Sequence, residues 1–190
     1  MALEMNRKEI IKAIANSAAA KNSAIVSNIG HASRELFELS NSPSNFYMLG
    51  SMGLASSIGL GISIAKPNKN VIVIDGDGSM LMNLGALSTI SNYSGRNYHL
   101  IVIDNESHGS TGGQKTHTAL KTDIAKIAYG AGIKDSVLVK DMKTLRRLIR
   151  SKMIPKLIVV KCEPGDTDSL YISMAPKEIS KRFRECINKD

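Results

Sequence analysis

Tryptophan is absent from this sequence, and aromatic residues make up only 4% of it. Single-stranded nucleic acid is bound on stacking platforms interleaved with cations, so the net charge of +8 does not by itself mark a nucleic-acid protein. The basic residues are scattered or fall on helical faces, as with Lys143, Arg146, Arg147 and Arg150. An anionic cofactor, an anionic substrate or an acidic partner surface explains the surplus equally well. Cysteine is nearly absent as well. Cys162 and Cys186 form no CxxC and have no nearby His pair, which excludes zinc and iron–sulfur frameworks and leaves two inert thiols as the expectation. No apolar run approaches the roughly twenty residues a bilayer requires. The longest, Met52 to Ala65, is interrupted by serines and glycines and is expected to be a packed helix. The N-terminal segment reads as charged and helical, without a small-residue cleavage site after an apolar run, so no signal peptide and a cytoplasmic location are expected.

What is present is an alternation of helical and strand patterns over 190 residues, enough for one domain with a full core. Asn6 followed by Glu9 resembles a capping box opening a helix with Ile10, Ile11, Ile14 and Ala18 on one side. Strands are expected at Ala24–Ser27, Asn70–Asp75, Tyr98–Asp104, Val137–Lys140 and Lys156–Cys162. Helices are expected at about 33–40, 53–65, 79–93, 122–130 and 142–152, with a last one after Pro176. The runs Val71-Ile72-Val73-Ile74 and Leu100-Ile101-Val102-Ile103 are continuously apolar, as strands covered on both faces of a parallel sheet are. These features define a single three-layer α/β/α domain, residues 1–190, with a mostly parallel sheet. Ligands in such folds bind beyond the carboxyl ends of the strands.

Two of those strands end in loops suited to chemistry. Asp75-Gly76-Asp77-Gly78-Ser79 follows one buried strand and opens a helix, where glycines permit a tight turn and free N–H groups favour an anion. Asp104-Asn105 follows the next. The two strands are expected to be parallel neighbours, so Asp77 and Asn105 reach a common point. A carboxylate, an amide carbonyl and a diphosphate make an oxygen-rich site suited to Mg²⁺. Alone, Gly-Asp-Gly is a common turn; with twenty-six residues between Gly78 and Asn105 the arrangement is more specific. The third glycine of a dinucleotide fingerprint is missing, and so is a Walker A loop.

Gly76-Asp77-Gly78 and Asn105 together resemble the thiamin-diphosphate motif of decarboxylases, acetolactate synthases and transketolases. That resemblance implies Mg²⁺ held by Asp77, Asn105 and the Ser107 carbonyl, with Gly78 and Ser79 against the diphosphate. It also implies an aminopyrimidine seated by Gly50, Ser51 and Met52, with the Met52 side chain as the wedge; ordinary core packing is the other reading of Met52. Where the family usually has Asn-Asn, this chain has Asp104-Asn105. The family also needs a glutamate beside the pyrimidine, supplied by a separate pyrimidine-binding domain. Glu4, Glu9, Glu35 and Glu38 fall within the first helices of this chain, so a partner α subunit is expected to supply it, with the cofactor at the interface of a hetero-oligomer.

The segments Ser33-Arg34-Glu35-Leu36-Phe37, Phe46-Tyr47-Met48, Asp104-Asn105-Glu106-Ser107-His108 and Ser110-Thr111-Gly112-Gly113-Gln114 narrow the resemblance to the sulfopyruvate and phosphonopyruvate decarboxylases. Among these it is closest to the β-subunit group of the sulfopyruvate enzymes, which are split into two chains. The implied reaction is decarboxylation of 3-sulfopyruvate to sulfoacetaldehyde and CO₂, a step in coenzyme M biosynthesis. Such a substrate carries a second anion, for which His31, Ser33 and Arg34 at a helix start are candidates; a surface ion pair is the alternative for Arg34. His108 and Gln114 are candidates for substrate contact or proton transfer, while His99 and His117 read as structural. Glycines 109, 112 and 113 suggest a mobile loop over the cofactor. Phosphonopyruvate decarboxylase, another split thiamin enzyme and a catalytically silent binding module remain the alternatives.

Overall fold

The computed structural model describes residues 5–17 and 20–189. The chain runs through α1 (Arg7–Ala15), β1 (Ser23–Ser27), α2 (His31–Leu39), β2 (Asn45–Tyr47), α3 (Ala55–Ala65) and β3 (Asn70–Gly76). It continues through α4 (Asp77–Met82), α5 (Ala86–Tyr93), β4 (Tyr98–Asp104), β5 (Ser107–His108) and β6 (Gln114–Lys115). It ends with α6 (Ile124–Gly130), β7 (Ser136–Val139), α7 (Met142–Ile149), β8 (Leu157–Lys161) and α8 (Pro176–Ile187).

Six strands form one sheet in the order β2-β1-β3-β4-β8-β7, and every neighbouring pair is parallel. The continuously apolar runs are the central strands, because alternate side chains must each meet a layer of helices. Val71, Val73, Leu100 and Val102 face one buried cluster, shared with residues of α3, α5 and α6. Ile72, Ile74, Ile101 and Ile103 face the other, shared with α1, α2 and α7. Each such side chain contributes roughly 1.5–3 kcal/mol on burial. The expected three-layer architecture is the one observed.

Asn6 caps α1 by accepting from Glu9 N at 2.9 Å, and Ile10, Ile11 and Ile14 are buried as expected; Ala18 and Glu4 lie outside the described residues. The helix expected over 79–93 is two helices. Asn83 ends α4 and turns its amide to the Gly53 carbonyl (2.9 Å), and Gly85 restarts the chain as α5. The short edge strand β2 was not anticipated; three residues after Pro43 are too few for a period to be read. Strand order reverses between β1 and β3: the chain leaves β1 toward β2 on one side, and β3 continues toward β4 on the other. That crevice is where open α/β sheets take ligands.

Candidate functional site

A small cavity opens at this crevice, lined by Asn28 to Ala32 after β1, Asp75 to Ser79 after β3, and Asn105 and Ser107 to Ser110 after β4. Arg7, Met52 and Ile103 complete its wall. The parallel register that sets Gly76 beside Ile103 brings the Asp77 and Asn105 loops together, as expected from the sequence.

The side-chain amide of Asn105 lies 3.2 Å from Asp77 Oδ1 and 2.9 Å from the Ser107 carbonyl oxygen. Both neighbours are acceptors. Without a cation they call for the amide nitrogen, which donates to both. A bound cation calls for the opposite orientation, with three oxygens facing one point. Octahedral ligands about 2.05 Å from Mg²⁺ stand roughly 2.9 Å apart, close to the spacing found here. Among the described residues no cluster of three or more His, Cys, Asp or Glu side chains can hold a metal. A cation at this position therefore needs the amide and the peptide carbonyl as well as the carboxylate, and that mixed oxygen set fits Mg²⁺.

The other oxygen of Asp77 is already engaged. Thr116 Oγ1 donates to Asp77 Oδ2 at 2.5 Å, and Thr118 Oγ1 lies 3.0 Å from the same atom. Thr118 also reaches Asp104 Oδ1 at 2.7 Å and Thr116 Oγ1 at 2.8 Å. Each hydroxyl has one proton, so the two shortest contacts, Thr116 to Asp77 and Thr118 to Asp104, carry them. Asp77 is thus turned with Oδ1 toward Asn105. Burial pushes the Asp77 carboxyl above its ordinary range, Thr116 draws it back, and the neighbouring Asp104 charge raises it further. A divalent cation reverses such a shift. On its far side Asp104 Oδ2 meets Lys161 Nζ at 2.8 Å, and the same ammonium meets Glu106 Oε1 at 2.6 Å.

The loop of Asp75 to Ser79 and the expected pyrimidine seat are tied together through Ser79. Its hydroxyl accepts from Gly53 N at 2.9 Å and neighbours the Asp75 carboxyl, which burial pushes up to about 6. The Ser79 side chain is therefore a spacer between two loops, leaving its backbone for any ligand. Met52 lies in the loop between Ser51 (φ 59°) and Gly53 (φ 91°) and is 37% exposed, which removes the core reading of this residue. Gly50 and Ser51 line a separate apolar cleft with Phe46, Ile58 and Ile179; Met52 alone of that segment reaches the cavity. Asn28 Oδ1 is buried there without a partner.

The other candidates divide. The His108 ring lies directly over Gly78, where an added Cβ would stand 2.5 Å from Cε1. Gln114 pairs with His108 across the β5–β6 hairpin, but its side chain turns to Thr111 (2.7 and 2.9 Å) and does not line the cavity. His31 does line it. Burial, then the Arg7 charge, lowers its pKa. Its 3.2 Å contact with Asp166 is therefore a hydrogen bond of a neutral ring, not an ion pair. Ser33 and Arg34, expected at an anion site, are engaged with other partners and do not line the cavity. Ser33 is buried and donates to the Ser27 carbonyl at 3.0 Å. Arg34 donates to the Ser169 and Leu170 carbonyls and stacks 4.4 Å over Tyr171.

Arg7 is the guanidinium that lines the cavity. It grips Glu35 at 2.8–3.2 Å and also holds the carbonyls of Gly165 and Asp166. Sequence reading missed Arg7, Thr116, Thr118 and Lys161; Arg7 and Lys161 are far from both loops in the chain. The Thr-x-Thr pair soon after Asn105 was the one signal that could have drawn attention.

With this geometry, the chain belongs to the thiamine pyrophosphate enzymes: residues 28–161 match the family described as "Thiamine pyrophosphate enzyme, C-terminal TPP binding domain". More particularly, it is 44% identical over 186 residues to the sulfopyruvate decarboxylase subunit beta of Methanocaldococcus jannaschii, covering 96% of this chain and 97% of that one. It is 35% identical over 168 residues to the phosphonopyruvate decarboxylase of Streptomyces viridochromogenes, covering 86% of this chain but 42% of the relative. The crystal structure of benzoylformate decarboxylase from Polynucleobacter necessarius shares the fold, with a TM-score of 0.66 at 16% identity over 87% of this chain and 34% of that one.

Proposed function

We propose that this chain is the diphosphate- and Mg²⁺-binding subunit of a two-chain decarboxylase that converts 3-sulfopyruvate to sulfoacetaldehyde and CO₂, a step toward coenzyme M. A pyrimidine-binding α subunit completes the site and supplies the activating glutamate. One observation carries this reading: the Asp77 carboxylate, the Asn105 amide and the Ser107 carbonyl converge on a site that is only half built. The cavity holds about 100 Å³, well below the roughly 300–1,000 Å³ of complete small-molecule pockets. Its acids are Asp75 and Asp77, and among the described residues no glutamate lines it. Glu35 is consumed by Arg7. In and against the loop of Leu49 to Leu54, Leu49, Met52, Leu54 and Met82 expose apolar side chains, as a surface awaiting a partner does. The near-complete overlap with a protein named as a beta subunit supports the division into two chains.

Bound thiamin diphosphate supplies the electron sink for loss of CO₂. In this reading residues 1–190 are one domain. Asp77, Asn105 and the Ser107 carbonyl hold the metal. Gly76, Gly78 and Ser79 present backbone to the diphosphate, and Gly50, Ser51 and Met52 seat the pyrimidine from the interface side. His108 stands at the mouth over Gly78 for proton handling, with Gln114 behind it in the hairpin. His31, kept neutral, hydrogen-bonds the substrate, and Arg7 is the nearest guanidinium to its second anion. The two free cysteines suit a reducing, cytoplasmic compartment. Phosphonopyruvate is the second substrate to weigh, because of the 35% identity to an enzyme named for it.

CO₂ release from 3-sulfopyruvate, with cofactor and Mg²⁺ present, tests the proposal. The chain is assayed alone and with the α subunit, and 3-phosphonopyruvate is run in parallel. Activity in the mixture only, and mainly on the sulfonate, is expected. Turnover by the isolated chain would overturn the divided site, and preference for the phosphonate would reassign the substrate.

A further inference from the structure

We infer that Lys161 is a positioning residue for the metal site: its ammonium clamps the two carboxylates that flank Asn105 and so fixes the turn that aims the metal ligands. The inference rests on the metal-site reading above and adds a residue that no motif of the sequence marks.

The parallel β4–β8 register sets Lys161 directly beside Asp104. Its Nζ stands 2.8 Å from Asp104 Oδ2 and 2.6 Å from Glu106 Oε1, with the lysine side chain 16% exposed. Asp104 and Glu106 bracket Asn105 in sequence, so the clamp closes across the ligand itself. Glu106 has φ 59°, a left-handed conformation that side-chain-bearing residues rarely adopt. Three contacts hold it there: its N–H donates to Asp104 Oδ1 at 3.2 Å, its carbonyl accepts from Thr116 N at 3.0 Å, and its carboxylate meets Lys161. This reversal of the chain brings the Ser107 carbonyl back to the Asn105 amide at 2.9 Å.

Asp104 lies nearly buried within reach of the same Thr118 hydroxyl as Asp77. A second buried carboxylate beside the metal ligand needs a counter-charge, and Lys161 supplies it. Asp104 and Lys161 thus act as one unit: the anion holds the Glu106 N–H and Thr118, and the cation holds both anions.

Charge and positioning predict opposite signs. If Lys161 acted through charge alone, Lys161→Met would leave the site one unit more negative and tighten Mg²⁺. Loss of positioning loosens it, as removal of outer partners of metal ligands does by about ten- to a hundred-fold. The test uses the α/β complex. Mn²⁺ binding is followed by the resonance of the free ion, and the Mg²⁺ concentration for half-maximal thiamin diphosphate binding is measured on the same samples.

Lys161→Met should raise both midpoints at least ten-fold, with kcat at saturating Mg²⁺ within about two-fold of wild type, and Lys161→Arg should recover most of the loss. Glu106→Ala, at a half-exposed position, should move the midpoints the same way by a smaller factor even if Lys161→Met folds poorly. Unchanged or lower midpoints in both variants overturn the inference while the metal site stands. Absence of Mn²⁺ and cofactor binding in the wild-type complex overturns the metal-site reading, and the inference with it.

Discussion

Thr118→Val is a demanding perturbation because it changes chemistry with almost no change of shape. The Thr118 hydroxyl lies 2.7 Å from Asp104 Oδ1 and 3.0 Å from Asp77 Oδ2, on a residue that is 6% exposed. Valine fills the same space, so no cavity term enters. What is lost is a hydrogen bond to a buried carboxylate, worth roughly 1.5–3 kcal/mol when the acceptor is charged. Asp77 keeps Thr116, and Asp104 keeps only the longer 3.2 Å contact from Glu106 N on that oxygen. A loss of about 2 kcal/mol follows, which for a chain of this length lowers Tm by about 4–8 °C. Thr118→Ser retains the hydroxyl and drops one methyl, for about 0.8 kcal/mol or less. Thermal unfolding in EDTA at neutral pH, followed by circular dichroism, compares the three proteins. If valine is tolerated as well as threonine, or serine costs as much as valine, the hydroxyl does not organise the two carboxylates and the network is misread.

Two further outcomes follow from buried groups. Burial pushes the Asp75 carboxyl up to about 6, so folding favours its protonated form. Its contribution is full below the unfolded value near 3.9 and is lost as pH rises through about 6. In the metal-free chain Asp75→Asn should match wild type near pH 4 and exceed it at pH 8 by on the order of 3 kcal/mol, and urea midpoints that differ equally at both pH values would refute this. At Gly59 an added Cβ would stand 2.2 Å from Val73 Cγ2, where α3 lies against β3. Gly59→Ala should therefore cost about 1–3 kcal/mol through overpacking, seen as a fall in Tm with the urea m-value unchanged; an unchanged Tm would show that the helix shifts freely.

Much of this was legible in the sequence, for physical reasons. Val71 to Ile74 and Leu100 to Ile103 had to be central parallel strands because only a position between two helical layers buries every residue. Given those neighbours, Asp77 and Asn105 had to converge. The break at Asn83 was hidden because its cause is a hydrogen bond to Gly53, thirty residues away. The partners of Arg34 were hidden for a similar reason. Arg34 has the right place at a helix start, but the segment around Ser169 to Tyr171 takes its guanidinium. Lys161 and Thr118 were invisible as site residues, since only the β4–β8 register and the loop after β6 bring them to Asp104.

The central claim, a metal-assisted diphosphate site on Asp77, Asn105 and Ser107, is met most directly by calorimetric titration of thiamin diphosphate into the α/β complex. Wild type is measured with Mg²⁺ and with EDTA, beside Asn105→Ala and Asp77→Ala in Mg²⁺. The account predicts saturable binding in the first case and its loss, by at least about ten-fold in affinity, in the other three. Binding that ignores EDTA and survives both substitutions would contradict it.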